Sequence, residues 1–122
     1  MSIDIVLIVD DSEIDQFLAR YMIEKFDTEI EIFQAYDGRE ALDLLHNMNR
    51  PPNVIFLDIN MPRMNGHEFL DEYDTFDEQT ANVIMLTSSE QGNDMEQAMA
   101  HDCVKQYFTK PLDKVELEAI IQ

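Results

Sequence analysis

A chain of 122 residues with 45% hydrophobic content makes one domain, spanning 1–122, with a core of its own and no room for a second. Its net charge of −18, from 8 basic and 26 acidic residues, repels nucleic acid and anionic membrane surfaces, which both attract cationic partners. No apolar run is long enough to cross a bilayer, Met1-Ser2-Ile3-Asp4 carries no basic leader, and the single cysteine, Cys103, has no internal disulfide partner, so a cytoplasmic protein is expected.

The chain opens on a nearly all-apolar strand, Ile3 to Val9, closed by Asp10-Asp11. Ser12 with Asp15 three residues later reads as a helix start, and Ile14, Phe17, Leu18, Tyr21 and Met22 recur at helical spacing to about Phe26. Ile14, Phe17 and Tyr21 are therefore expected to serve the core in part. A second strand, Ile30 to Ala35, alternates and so suggests an edge position. Asp37 caps a second helix with Glu40 at its third position, carried by Ala41, Leu42, Leu44, Leu45 and Met48 and stopped by Pro51-Pro52.

Val54 to Leu57 is too short for a helix and apolar throughout, as a strand covered on both faces would be, and Asp58 ends it. A loop, Asn60 to Gly66, leads to a third helix over about His67 to Tyr73. An acidic connector, Asp74 to Asn82, precedes a fourth strand, Val83 to Leu86, ended by Thr87-Ser88-Ser89. A fourth helix is expected from about Gln91 to His101, with Met95 and Met99 as an i, i+4 pair. A short fifth strand, Gln106 to Thr109, is followed by Lys110-Pro111, and a last helix covers about Asp113 to Ile121 through Val115, Leu117, Ile120 and Ile121.

Strict alternation predicts an α/β fold of the (βα)5 flavodoxin-like type, a three-layer sandwich around a parallel five-stranded sheet. The chain is too short for an eight-fold barrel, and the order 2-1-3-4-5 is chosen because strands two and five are the least uniformly apolar. In such a sheet the residues just past the strands share one edge: Asp10 and Asp11, Asp58, Thr87 and Lys110. Three crowded carboxylates repel unless a cation intervenes. Lys110 supplies one charge; the hard-oxygen donors, with no His or Cys at a strand end, point to Mg²⁺ for the rest. Mg²⁺, an amine and a hydroxyl together suit a phosphoryl group, and an Asp carboxylate can be its acceptor.

Five motifs then resemble the receiver domain of two-component response regulators along the whole chain. They are Val9-Asp10-Asp11-Ser12, Asp37-Gly38-Arg39-Glu40-Ala41-Leu42, the stretch from Leu57 to Gly66, Met85-Leu86-Thr87-Ser88, and Thr109-Lys110-Pro111-Leu112. The resemblance implies that Asp58 takes a phosphoryl group from a phosphohistidine of a histidine kinase or a histidine phosphotransfer protein. It further implies Mg²⁺ on Asp11, Asp10, Asp58 and the Asn60 carbonyl, Lys110 on the phosphoryl oxygens, and Thr87 and Tyr107 as the switch. Asn60 and Ser89 would tune phosphate lifetime, Lys110-Pro111 would be cis, and helix one would dock the donor. Helix four, strand five and helix five would form the face read by a downstream protein. Such a chain is a phosphoacceptor rather than an enzyme, and without an output domain it would act by protein contact or by relaying phosphate.

Other residues are given plainer roles. His46, His67 and His101 are expected on helices in surface or packing positions, Cys103 as a small packing residue, and the methionines mostly as core filler. Met95 and Met99 could instead offer an adaptable partner surface. Three rivals fit less well. A haloacid-dehalogenase-type Mg²⁺-dependent phosphatase needs an acid where Asn60 stands, and a flavin binder needs a phosphate loop where Asp10-Asp11 would repel it. An acidic interaction module leaves the strand-end chemistry unexplained.

Overall fold

The computed structural model describes residues 3–77 and 79–121. Met1, Ser2, Glu78 of the acidic connector, Gln122 and the side chain of Ile121 lie outside the described residues. Five strands alternate with five helices: β1 (Ile5–Val9), α1 (Glu13–Phe26), β2 (Glu31–Ala35), α2 (Gly38–Asn47), β3 (Val54–Leu57), α3 (Gly66–Tyr73), β4 (Asn82–Thr87), α4 (Gly92–Met99), β5 (Val104–Thr109) and α5 (Lys114–Ile121). The sheet is parallel with the order β2-β1-β3-β4-β5, as expected. The central strands are buried throughout save Asn82 at the start of β4, whereas β2 and β5 expose side chains, as edge strands do.

Successive strand residues point to opposite faces, and each face has its own core. Leu7, Val9, Ile55, Leu57, Val83 and Met85 pack with Ala41 and Leu42 of α2, Phe69 and Leu70 of α3 and Ala98 of α4. Val6, Ile8, Val54, Phe56, Ile84 and Leu86 pack with Ala19 and Ile23 of α1 and Leu117 of α5. Burying each Val, Leu, Ile, Phe or Met side chain fully contributes about 1.5–3 kcal/mol, so the two clusters hold the three layers together.

Three expectations need correction. First, α1 turns Gln16, Ala19 and Ile23 to the sheet, and Ile14, Phe17, Leu18 and Tyr21 stand 71%, 64%, 44% and 49% exposed. Both sets have helical spacing. The inward set is chosen because Gln16 Nε2 donates to the carbonyls of Ile8, Asp10 and Ala35 at 3.1, 3.0 and 2.8 Å, closing the ends of β1 and β2. Secondly, α4 ends at Met99, so His101 sits in the turn beyond it, with Nδ1 2.6 Å from Asp74 Oδ2. Met95 and Met99 are exposed, as is Val115 of α5. Thirdly, Ser12 does cap α1 by accepting from Asp15 N at 3.2 Å, but the Asp15 carboxylate turns away from the cap to Lys110.

Candidate functional site

Strand register builds the site. Val9 lies beside Leu57, and Leu57 beside Met85, so Asp10 and Asp58 emerge side by side where the sheet ends. Ladder bonds continue past the strands: Asp10 N donates to Ala35 O at 3.0 Å, Asp58 N to Val9 O at 3.0 Å and Lys110 N to Thr87 O at 2.9 Å. The backbone of each residue is thereby fixed by the sheet rather than by a free loop. Asp10 and Asp58 are buried, and Asp11 is exposed at the rim.

The loop after β3 is anchored at both ends. Gly66 N donates to Ile59 O at 2.8 Å, and a Cβ on Gly66 would come 2.4 Å from the Asp58 carbonyl oxygen, so only glycine allows this approach. Asn65 caps α3 in a reciprocal box with Glu68, a signal the sequence reading missed although Asn-x-x-Glu stands in the chain. Arg63 takes a φ of 61°, a left-handed conformation that costs about 1–2 kcal/mol for a residue with a Cβ. In return its guanidinium grips the α2 cap residue Asp37 at 2.8 and 3.2 Å. Against the effect of its burial, the Arg63 guanidinium and the Glu40 N–H hold the Asp37 carboxyl below the usual carboxylate range.

Lys110 Nζ contacts three carboxylates: Asp10 Oδ2 at 2.7 Å, Asp15 Oδ2 at 2.7 Å and Asp58 Oδ2 at 3.0 Å. Burial alone would lower its pKa, but those three partners hold it above the ordinary lysine value, so the amine stays charged. Burial pushes the Asp10 carboxyl above its ordinary value, opposed by the bond from Lys110 and by Ser12 N, which donates to Asp10 Oδ1 at 3.0 Å. Asp58 Oδ1 accepts from Ile59 N at 2.7 Å. Asp10, Asp11 and Asp58 each bring one carboxylate oxygen within 4.8 Å of the others, a set of hard donors that fits a divalent ion of the Mg²⁺ or Mn²⁺ kind. Asn60 is exposed in the loop just beyond Asp58.

The remaining predicted residues form a second group. Thr87 is fully buried, and its Oγ1 accepts from Ser89 N at 3.2 Å. Tyr107 OH donates to Ser89 O at 3.0 Å, with its ring partly buried against the α2–α4 core; burial pushes the phenol above its ordinary pKa. Ser88 is exposed, and Ser89 is half-buried. The Lys110-Pro111 bond is cis. Asp15 and Gln16 were not anticipated at the site. The spacing Ser12, Gln16, Ala19, Ile23 carried that information, hidden beneath the more hydrophobic outer stripe.

Beside Lys110 a groove of about 390 Å³ opens between α1 and the β5–α5 turn, lined by Leu18, Tyr21, Met22, Leu86, Pro111 and Leu112. It joins the charged site to the exposed stripe of α1. The described residues include no helix long and apolar enough to cross a membrane.

The family model described as "Response regulator receiver domain" matches residues 6–122. The crystal structure of a two-component response regulator from Cytophaga hutchinsonii superposes with a TM-score of 0.86 at 33% identity, covering 98% of this chain and 95% of that one. The CheX-CheY-BeF3-Mg²⁺ complex from Borrelia burgdorferi contains a chain that matches with a TM-score of 0.78 at 30% identity, covering 95% of this chain and 84% of that one. Among curated proteins, the transcriptional regulatory protein HptR of Staphylococcus aureus is 37% identical over 90 residues, 74% of this chain and 33% of its own. The chain thus spans about a third of the length of that relative. Fold, strand order and a family match over nearly the whole chain agree: the protein belongs to the response regulator receiver domain family of two-component signalling.

Proposed function

We propose that residues 1–122 act as one receiver unit whose Asp58 accepts a phosphoryl group from a phosphohistidine of a histidine kinase or histidine phosphotransfer protein. The observation that carries this reading is the convergence of Asp10, Asp15 and Asp58 on Lys110, with Asp11 beside them, at the carboxyl edge of the sheet. A carboxylate oxygen of Asp58 attacks phosphorus. The new O–P bond forms as the N–P bond breaks, and the imidazole leaves with the electron pair and takes a proton. Lys110, held charged and half-buried, then pairs with the phosphoryl oxygens in place of part of its carboxylate shell. Thr87 Oγ1 donates to another phosphoryl oxygen. Asp10, Asp11, Asp58 and the Asn60 carbonyl would hold Mg²⁺, which neutralises charge on the transferring group. Asn60 is an amide, not a carboxylic acid that could protonate a leaving alcohol, which argues against the phosphatase alternative.

The donor docks on the α1 stripe of Ile14, Phe17, Leu18 and Tyr21, whose exposure next to Lys110 has no use within the fold. A downstream protein reads the α4–β5–α5 face, where Met95, Met99 and Val115 are exposed. The acidic surface disfavours nucleic acid and membranes as partners, and partners of this kind place the domain in the cytoplasm. The test uses a small phosphoramidate as N–P donor. Hydroxylamine should release the label from the modified protein, as from an acyl phosphate, and Asp58→Asn should take up none. A hydroxylamine-stable adduct, or full labelling of Asp58→Asn, would contradict the assignment.

A further inference from the structure

We propose that Gln16 is a positioning residue for divalent-ion binding: it fixes the peptide that joins Asp10 to Asp11, and with it the direction in which the Asp11 carboxylate leaves the sheet. This rests on the receiver reading above, in which the strand-end carboxylates hold a divalent ion. Gln16 stands on the inward face of α1 with Ala19 and Ile23 and is only 1% exposed. An amide so deeply buried is costly unless its polar atoms are bonded, and here both are. Nε2 lies 3.1 Å from Ile8 O, 3.0 Å from Asp10 O and 2.8 Å from Ala35 O, two hydrogens serving three acceptors. Oε1 accepts from Gln34 Nε2 at 3.0 Å, and Gln34 Oε1 accepts from Arg20 Nη1 at 2.9 Å. Gln34 thus occupies the oxygen side of the Gln16 amide, so the nitrogen faces the strand ends.

The bond to Asp10 O bears on the ion, because that carbonyl belongs to the peptide linking two of the three clustered carboxylates. Asp10 and Asp58 have other supports. Asp10 N donates to Ala35 O, and the Asp10 carboxylate takes Ser12 N and Lys110 Nζ. The Asp58 carboxylate takes Ile59 N and Lys110 Nζ. Asp11 differs: it is exposed, and among the described residues no hydrogen bond or ion pair holds its carboxylate. Its place is therefore set through its backbone. The peptide is planar, so a pinned Asp10 carbonyl also pins the Asp11 N and Cα that follow it. Without Gln16 that plane is free to turn, and the ion must order Asp11 as it binds. The ordering cost then appears as lost affinity.

Mn²⁺ alone is the probe, titrated against the full chain by the EPR signal of the free ion, with Mg²⁺ as competitor. Gln16→Met keeps the length and bulk of the side chain and removes its donors. It should weaken Mn²⁺ binding about tenfold, the low end for losing a partner behind a metal ligand, since Gln16 holds the ligands' shared peptide rather than a ligating oxygen. Gln34→Leu keeps the Gln16 donors but frees the amide to turn, and should weaken binding by a smaller factor. Ile23→Val thins the same buried face of α1 and should lower the melting temperature with no change in affinity. Each protein is titrated where circular dichroism shows it folded; if Gln16→Met does not fold, Gln34→Leu is the deciding variant. Wild-type affinity in the deciding variant, or equal weakening in Ile23→Val, would overturn the positioning role while leaving the acceptor role of Asp58 intact. A wild-type protein that binds no Mn²⁺ would overturn the divalent-ion reading and this inference with it.

Discussion

Lys110 and its three carboxylates show how far single residues can be read in advance. Asp10, Asp11, Asp58, Thr87 and Lys110 were legible because each ends or follows a strand, and a parallel sheet places all strand ends on one edge. Asp15 was not, because a Ser-x-x-Asp start is satisfied locally and nothing in the sequence says its carboxylate will reach across 95 residues to Lys110. Burial raises the pKa of Asp10, so ionised Asp10 opposes folding: its native form binds a proton more readily than its unfolded form, and stability is lost as pH rises from the ordinary carboxyl value through the raised one. Asp10→Asn keeps an acceptor for Ser12 N, and Asp15 and Asp58 still face Lys110. Without divalent ions it should be more stable by about 1 kcal/mol in thermal melts. Added Mg²⁺ should stabilise wild type more than the variant and erase that gain; a less stable Asp10→Asn would contradict the electrostatic reading. Gly66→Ala places a methyl group 2.4 Å from a backbone oxygen that cannot swing aside. It should lose about 1–3 kcal/mol in urea melts, and a neutral result would mean that the β3–α3 loop shifts freely.

At the scale of elements, strand positions and the flavodoxin-like order followed from apolar runs and from the polarity of β2 and β5. Helix orientation did not. Hydrophobic periodicity identifies a stripe but not which way it faces, and in α1 the more hydrophobic stripe faces water because Gln16 is needed at the strand ends. In α4, expected to run to about His101 but ending at Met99, the i, i+4 methionines likewise mark the exposed side. The two faces of α1 should separate experimentally. Ile23→Ala empties a fully buried position and should lose about 2–5 kcal/mol of stability. Phe17→Ala should change stability by less than about 0.5 kcal/mol, since it removes only exposed surface. It should slow transfer from a phosphohistidine protein several-fold while leaving transfer from acetyl phosphate unchanged. Equal loss with both donors would move Phe17 from donor docking to the chemistry itself.

The whole molecule carries 26 acidic against 8 basic residues, and the described ion pairs engage only part of that excess. Self-repulsion on this scale is screened by salt, so the melting temperature should rise by several degrees between low and about 0.5 M ionic strength. A flat response would mean that local pairing already neutralises the repulsion. The same field draws divalent cations toward the strand-end cluster and favours basic patches on protein partners. The central claim is that Asp58 accepts a phosphoryl group under the control of a divalent ion. The most direct measurement is the intact mass of wild type and Asp58→Asn after incubation with acetyl phosphate, with and without Mg²⁺. A gain of one phosphoryl group in wild type, lost on chelation and lost in the variant, is the expected result; equal modification of both proteins, or modification indifferent to Mg²⁺, would contradict it.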